Sequence, residues 1–241
     1  DALGVPYKYN LAKSLHPGKN TITICVDNRV KDIKVGDDAH SVTDNTQSNW
    51  NGIVGELKLI QKDALSISNV QIFPDVQNGT ALLEIQIENE TKSLQKGVIK
   101  ISARSTSIDS PQKIARHSKT FEIDANSTTV SISYPMGDEP YLWDEFNPNL
   151  YELSVELSSD ENKDVWQGEF GMRDFHVDGK SFVINDRPVF LRGTLECAIF
   201  PKTGFPPTDI EAWERIINIC KDHGLNHIRF HSWCPPKAAF E

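Results

Sequence analysis

Residues 206–233 read PPTDIEAWERIINICKDHGLNHIRFHSW. Within this stretch Ile210, Trp213, Ile216, Ile217 and Cys220 recur at three- and four-residue spacing, which lays them on one face of a helix. Thr208 and Glu211 match the T-x-x-E capping box, with Pro207 just outside it, and Gly224 stands where a helix C′ glycine belongs. Ile228-Arg229-Phe230-His231 then alternates apolar and polar with the period of a strand. Ahead of the helix, PVFLRG (188–193) reads as a second, buried strand that follows a hairpin in FHVDGKSFVIND. Strand, helix, strand is a βαβ unit and implies a parallel pair. A single parallel pair with one helix is not a stable domain, so more strands are expected to follow it.

Upstream the period is two throughout. ALLEIQIE sets Leu83, Ile85 and Ile87 against Glu84, Gln86 and Glu88, and TVSISY turns Val130, Ile132 and Tyr134 inward. LYELSVEL alternates Tyr151, Leu153, Val155 and Leu157, with GVIKISA, FEID and VWQGEF as further short runs. About seven short strands over about 105 residues, separated by polar turns, are the pattern of an immunoglobulin-like sandwich. No Cys–Trp–Cys series marks an antibody-type domain. Before it, NTITICVD is entered from the turn HPGKN and places Ile22, Ile24 and Val26 on one face, and GELKLI alternates again. The polar loop GDDAHSVTDNTQSNWNG between these runs is too long for a hairpin, and long loops in compact domains are often functional. Two or three strands close no core, so this first region reads as the tail of another β-sandwich.

Composition narrows the partners. A net charge of −9 without a Lys/Arg cluster argues against nucleic acid, which needs a basic face. No apolar run reaches the ~18 residues of a membrane span. Cys25, Cys197, Cys220 and Cys234 form no CxxC pair, so free thiols are expected, with neither metal nor other cofactor. The opening residues show no Met start and no signal peptide, and a periplasmic or secreted bacterial setting is the working expectation.

Several motifs now stand in one order. Trp143 is followed by Pro148, Leu150 and Tyr151; then come Phe170-Gly171-Met172-Arg173, Asn185-Asp186-Arg187-Pro188-Val189-Phe190-Leu191-Arg192-Gly193, the helix, and HIRFHSW. This series, with SNWNGIVGELKL before it, resembles glycoside hydrolase family two, the family of β-galactosidases, β-glucuronidases and β-mannosidases. The resemblance implies a multidomain, mostly β chain. Residues 1–62 would be the C-terminal part of a jelly-roll sugar-binding domain and 63–169 an immunoglobulin-like β-sandwich. Residues 170–241 would be the first βαβ portion of a TIM (β/α)8 barrel. It also implies a retaining hydrolase of β-linked sugars, in which two Glu residues roughly 5 Å apart act as acid/base and nucleophile. Those Glu belong to the fourth and seventh barrel strands, expected beyond Glu241, so the fragment is expected to lack both and to be inactive.

Barrel active sites lie at the C-terminal ends of the strands. Here those ends supply Thr194, Leu195 and Glu196, then Arg229, His231, Ser232 and Trp233. A sugar site needs hydroxyl donors and acceptors and an aromatic face for the C–H side of the ring. Glu196, Arg229, His231 and Trp233 are therefore candidate substrate-binding residues. Each also has a structural reading: Arg229 pairing with a carboxylate inside the barrel, His231 as a satisfied imidazole, Trp233 as a cap, Glu196 as a solvated charge. In the long loop Asp44 and Trp50 are of sugar-contacting type, and the resemblance implies that Asp44 or Thr46 stands at the loop position that reaches the active site. Better-known members read Arg-Gly-x-Asn-x-His-Glu after the first strand, whereas this chain reads Arg192-Gly193-Thr194-Leu195-Glu196-Cys197-Ala198, which leaves galactoside, glucuronide and mannoside open. A glycan is the expected partner, with self-association through apolar faces at Phe190, Ile216, Ile228 and Phe230. The alternative is a non-catalytic carbohydrate-binding or adhesion module, which explains the β regions but not the βαβ unit.

Overall fold

The structure is a computed structural model that describes residues 6–27, 52–106, 111–231 and 233–241. Two compact units emerge, one from Leu59–Phe190 and one from Asp1–Lys58 with Leu191–Glu241.

In the first unit the six quoted runs become strands and Leu65–Asp75, not among them, adds a seventh: β1 (Leu65–Asp75), β2 (Thr80–Asn89), β3 (Gln95–Ser105), β4 (His117–Ile123), β5 (Thr128–Pro135), β6 (Tyr151–Ser159) and β7 (Lys163–Phe170). They pair antiparallel into two sheets, β1-β2-β5 and β4-β3-β6-β7. Because side chains alternate across a strand, one face of each sheet is apolar and the two faces close on a single core. Leu83, Ile85 and Ile87 from the first sheet and Ile99, Ile101, Leu153, Val155 and Leu157 from the second all lie in it. Ile132 and Tyr134 are buried as expected, and Val130 packs half-buried against them. Truncating any one of these large side chains to Ala is expected to cost about 2–5 kcal/mol. Tyr151 opens β6, and its hydroxyl accepts from the Tyr141 N–H at 2.7 Å and donates to Gln112 Oε1. That bond ties the strand start to the chain ahead of it.

Three short strands complete this unit: β8 (Phe175–Asp178), β9 (Ser181–Ile184) and β10 (Arg187–Val189), in the antiparallel order β10-β9-β8. Here the structure departs from the expectation of a buried strand PVFLRG. Pro188 and Val189 belong to β10, the outer strand of a second hairpin, and pair with Val183 and Phe182. The cause is the turn Asn185-Asp186, whose two residues both take positive φ, +48° and +62°. Such a turn matches strand twist and folds the chain straight back on β9.

The second unit holds β11 (Gly193–Glu196), helix α1 (Ile210–Asp222) and β12 (His227–Phe230). β11 and β12 are parallel, in the register Gly193↔His227 to Glu196↔Phe230, so the βαβ unit is present. Trp213, 1% exposed, is the anchor of the helix face. The N-cap is Asp209 and not Thr208: its carboxylate accepts from the Ala212 N–H at 2.9 Å. Gly224 does end the helix, at φ +72°. Its N–H and that of Leu225 donate to Lys221 O and Cys220 O, closing a Schellman motif.

The N-terminal runs behave differently from their alternation. The turn HPGKN is present, bracketed by Asn20, which accepts from the His16 N–H and donates to His16 O and Gly18 O. Thr21–Asp27 and Glu56–Ile60 nevertheless form no ladder among the described residues, and Ile22, Ile24, Leu57 and Leu59 are exposed. A strand needs a partner as well as a period. Of the apolar positions expected to be open, Phe190 is exposed, whereas Ile216, Ile228 and Phe230 are half-buried. No helix among the described residues is long and apolar enough to cross a membrane.

Candidate functional site

The ends of the parallel pair carry four of the six candidate residues; Asp44 and Trp50, with Thr46, lie outside the described residues. Arg192 sets the start of β11: its N–H donates to Asn226 Oδ1 at 2.8 Å and its Nε to Gly224 O at 2.8 Å. One step on, Gly193 lies under the His227 ring, so that an added Cβ would stand 2.4 Å from Nδ1. A side chain there would have to push the His227 ring aside. Gly193, Thr194, Leu195, His227 and Arg229 line an open concavity of about 350 Å³. Arg229 thus presents its guanidinium at an exposed surface, and His227, two residues earlier and on the same face, joins it. Sequence reasoning passed over His227, although its two-residue spacing from Arg229 was the available signal. His231 continues β12 for one more bond, its N–H donating to Glu196 O at 2.8 Å.

Glu196 is half-buried, not a solvated loop charge. Its Oε1 accepts from the backbone N–H of Ala198 at 2.9 Å and of Ile199 at 3.3 Å. The carboxylate thereby shapes the tight turn after β11, in which Ala198 takes φ +61°. Trp233 is drawn into a ring cluster with Phe200, Trp213 and Phe230, at centroid distances of 6.3, 6.5 and 5.5 Å. Its Nε1 donates to Glu196 O at 3.3 Å. The four cysteines are free. Among the described residues no three His, Cys, Asp or Glu side chains gather as metal ligands would.

In the first unit, the three sequence motifs around Trp143, Gly171 and Asn185 converge on one point. The Trp143 N–H donates to Met172 O at 2.8 Å, and Asn185 Nδ2 donates to Trp143 O at 3.0 Å. The Trp143 side chain covers Gly171, where an added Cβ would stand 2.8 Å from Trp143 Cβ and 3.0 Å from the ring, and the Arg173 guanidinium lies 4.9 Å from the ring centroid. Asp144, 8% exposed, accepts from the N–H groups of Phe146 and Asn147, each at 2.8 Å, and pairs with Arg187. Burial pushes its carboxyl up, but those N–H groups, the Asn147 amide and the Arg187 charge together outweigh it and hold the pKa below the ordinary value. The motifs are therefore parts of one hydrogen-bonded knot that fixes the hairpin β9–β10 to the loop before β6.

Residues 65–173, which span the sandwich and the first half of this knot, match the model for Glycosyl hydrolases family 2. Over these residues the chain resembles that family. A β-galactosidase of Thermoanaerobacterium thermosulfurigenes is 24% identical to this chain over 157 residues, 65% of this chain and 22% of that protein. A β-galactosidase of Oenococcus oeni is 24% identical over 239 residues, 93% of this chain and 22% of that one. The crystal structure of Bacteroides uniformis β-glucuronidase matches with a TM-score of 0.59 at 20% identity, covering 74% of this chain and 22% of the other. The chain thus spans about a fifth of the length of these relatives. At this identity the structural likeness speaks to the fold alone.

Proposed function

We propose that this chain is part of a retaining glycosidase acting on β-linked sugars, and that it supplies substrate-binding residues and scaffold but not the reacting carboxylates. In this reading residues 1–62 end a jelly roll, 63–169 are an immunoglobulin-like sandwich and 170–241 open a (β/α)8 barrel. The two packed antiparallel sheets and the Tyr151 hydroxyl bond at the start of β6 favour the second assignment. The parallel β11–α1–β12 unit favours the third.

The observation that carries the reading is the chemistry of the strand ends. Arg229 offers a fork of donors to sugar oxygens on an open face, with His231 following at the rim. A double displacement needs two carboxylates, one to protonate the leaving oxygen and one to attack C1. The ends of β11 and β12 hold one carboxylate among the described residues, Glu196, and its Oε1 is engaged by the turn it shapes. Binding without hydrolysis follows. The reading is tested by saturation-transfer NMR with methyl β-D-galactopyranoside, methyl β-D-glucuronide and methyl β-D-mannopyranoside. At least one should show transfer that Arg229→Ala abolishes. No transfer from any of the three, or transfer indifferent to Arg229→Ala, would overturn it.

A further inference from the structure

Trp233 has the composition of a sugar platform but the surroundings of a core residue. Three rings crowd it, with Phe230 standing nearly perpendicular at 88° and Phe200 at 75°. The third, Trp213, is 1% exposed and is itself pinned by its Nε1 donating to Pro207 O at 2.8 Å. The cluster therefore joins the helix, the loop before it, β12 and the loop after β12. The indole N–H of Trp233 ends on Glu196 O, the same carbonyl that receives the His231 N–H at 2.8 Å. Glu196 in turn holds the loop after β11 through Ala198 and Ile199. Both strand-end loops are thus fastened at one residue, and Trp233 is the clamp from the β12 side.

We propose that Trp233 is a positioning residue: it docks the loop after β12 onto Glu196 and the ring cluster, so that Arg229 and His231 stand at the strand ends, and it is not itself stacked on sugar. The inference rests on the sugar-binding reading for its functional sense, but its structural half has its own readout. Phe in place of Trp233 keeps a packing ring and loses only the N–H bond, whereas Leu removes the ring–ring contacts as well.

The test follows backbone amide exchange of Ala198, Ile199 and His231, and the indole N–H resonance of Trp233, in the full chain with and without the methyl glycosides named above. Trp233→Leu should speed exchange at these three amides by at least about tenfold while amides of β2, β3 and β6 stay protected. Trp233→Phe should hold sugar affinity within about threefold and Trp233→Leu should lose about tenfold or more. In the parent chain, the Trp233 indole signal should stay in place as sugar is added while Arg229 and His231 signals move. The proposal is overturned if Trp233→Leu leaves the three amides protected, or if Trp233→Phe loses as much affinity as Trp233→Leu. It is equally overturned if the indole signal shifts as strongly as those of Arg229 and His231. Should no sugar bind the parent chain, the sugar-binding reading fails and the exchange rates alone decide the clamp. Should Trp233→Leu fail to fold, Trp233→Phe and the indole signal decide it.

Discussion

At the scale of single residues, Tyr134 and Asp144 are shifted in opposite directions by their surroundings. Tyr134 is fully buried, its hydroxyl donates to Ala115 O at 2.9 Å, and burial pushes its pKa up to about 12. Its neutral form is the one the fold favours. The stabilisation is therefore complete below about pH 10, the value of an unfolded tyrosine, and is lost as pH rises through the folded value. Ultraviolet titration should show one tyrosine ionising only with alkaline unfolding, and Tyr134→Phe should delete that step. Asp144 works in the opposite direction. Its pKa is lowered, so its contribution is present above the ordinary carboxylate range and fades as pH falls below about 4. Asp144→Ala should cost about 1–3 kcal/mol at neutral pH, because it orphans the N–H groups of Phe146 and Asn147, and should flatten the acid limb of the stability curve. Urea denaturation across pH checks both effects. The alternation around Ile132 already turned Tyr134 inward. Its acceptor could not be read, because Ala115 sits 19 residues away in an irregular segment.

Secondary-structure elements were legible where a period and a partner coincide. All six sandwich runs read from the sequence became strands because each lies beside another strand of the same kind, while β1 (Leu65–Asp75) was not singled out. The apolar stretch after Asp186 went wrong for a local reason. PVFLRG has the composition of a buried strand, but the preceding Asn-Asp pair, a combination suited to positive φ, decided its partner. The helix start moved by one residue because Thr208 and Asp209 are both good caps, and the box pattern favoured the former. The carboxylate of Asp209 satisfies a free N–H and also suits the positive end of the helix. Asp209→Ala should therefore cost about 1 kcal/mol and Thr208→Ala almost nothing, measured as the shift in the unfolding midpoint. At the other end Gly224→Ala should cost about 1 kcal/mol, since φ +72° is open to glycine and strained for alanine. Glu196 and Trp233 illustrate what a motif cannot give. Their types were right for sugar, but the hydrogen bond between the Trp233 indole and the Glu196 carbonyl, 37 residues apart in sequence, is a fact of folding.

For the molecule as a whole, the motif order carried the family resemblance. Trp143, Gly171 and Asn185 are far apart in sequence and meet in one knot, so their order is a statement about a fold and not only about composition. The parallel pair sets Arg229 and His231 at its strand ends, the place where the proposed barrel would present its chemistry, while Glu196 Oε1 is engaged by the turn beside them. The double displacement proposed above needs a second carboxylate and a free first one. The most direct measurement is release of nitrophenol from aryl β-galactoside, β-glucuronide and β-mannoside by the purified 241-residue chain. The account predicts no release above buffer from any of the three, with Arg229-dependent binding intact. Turnover that disappears in Glu196→Gln would contradict it, for it would make the strand-end carboxylate a reacting group.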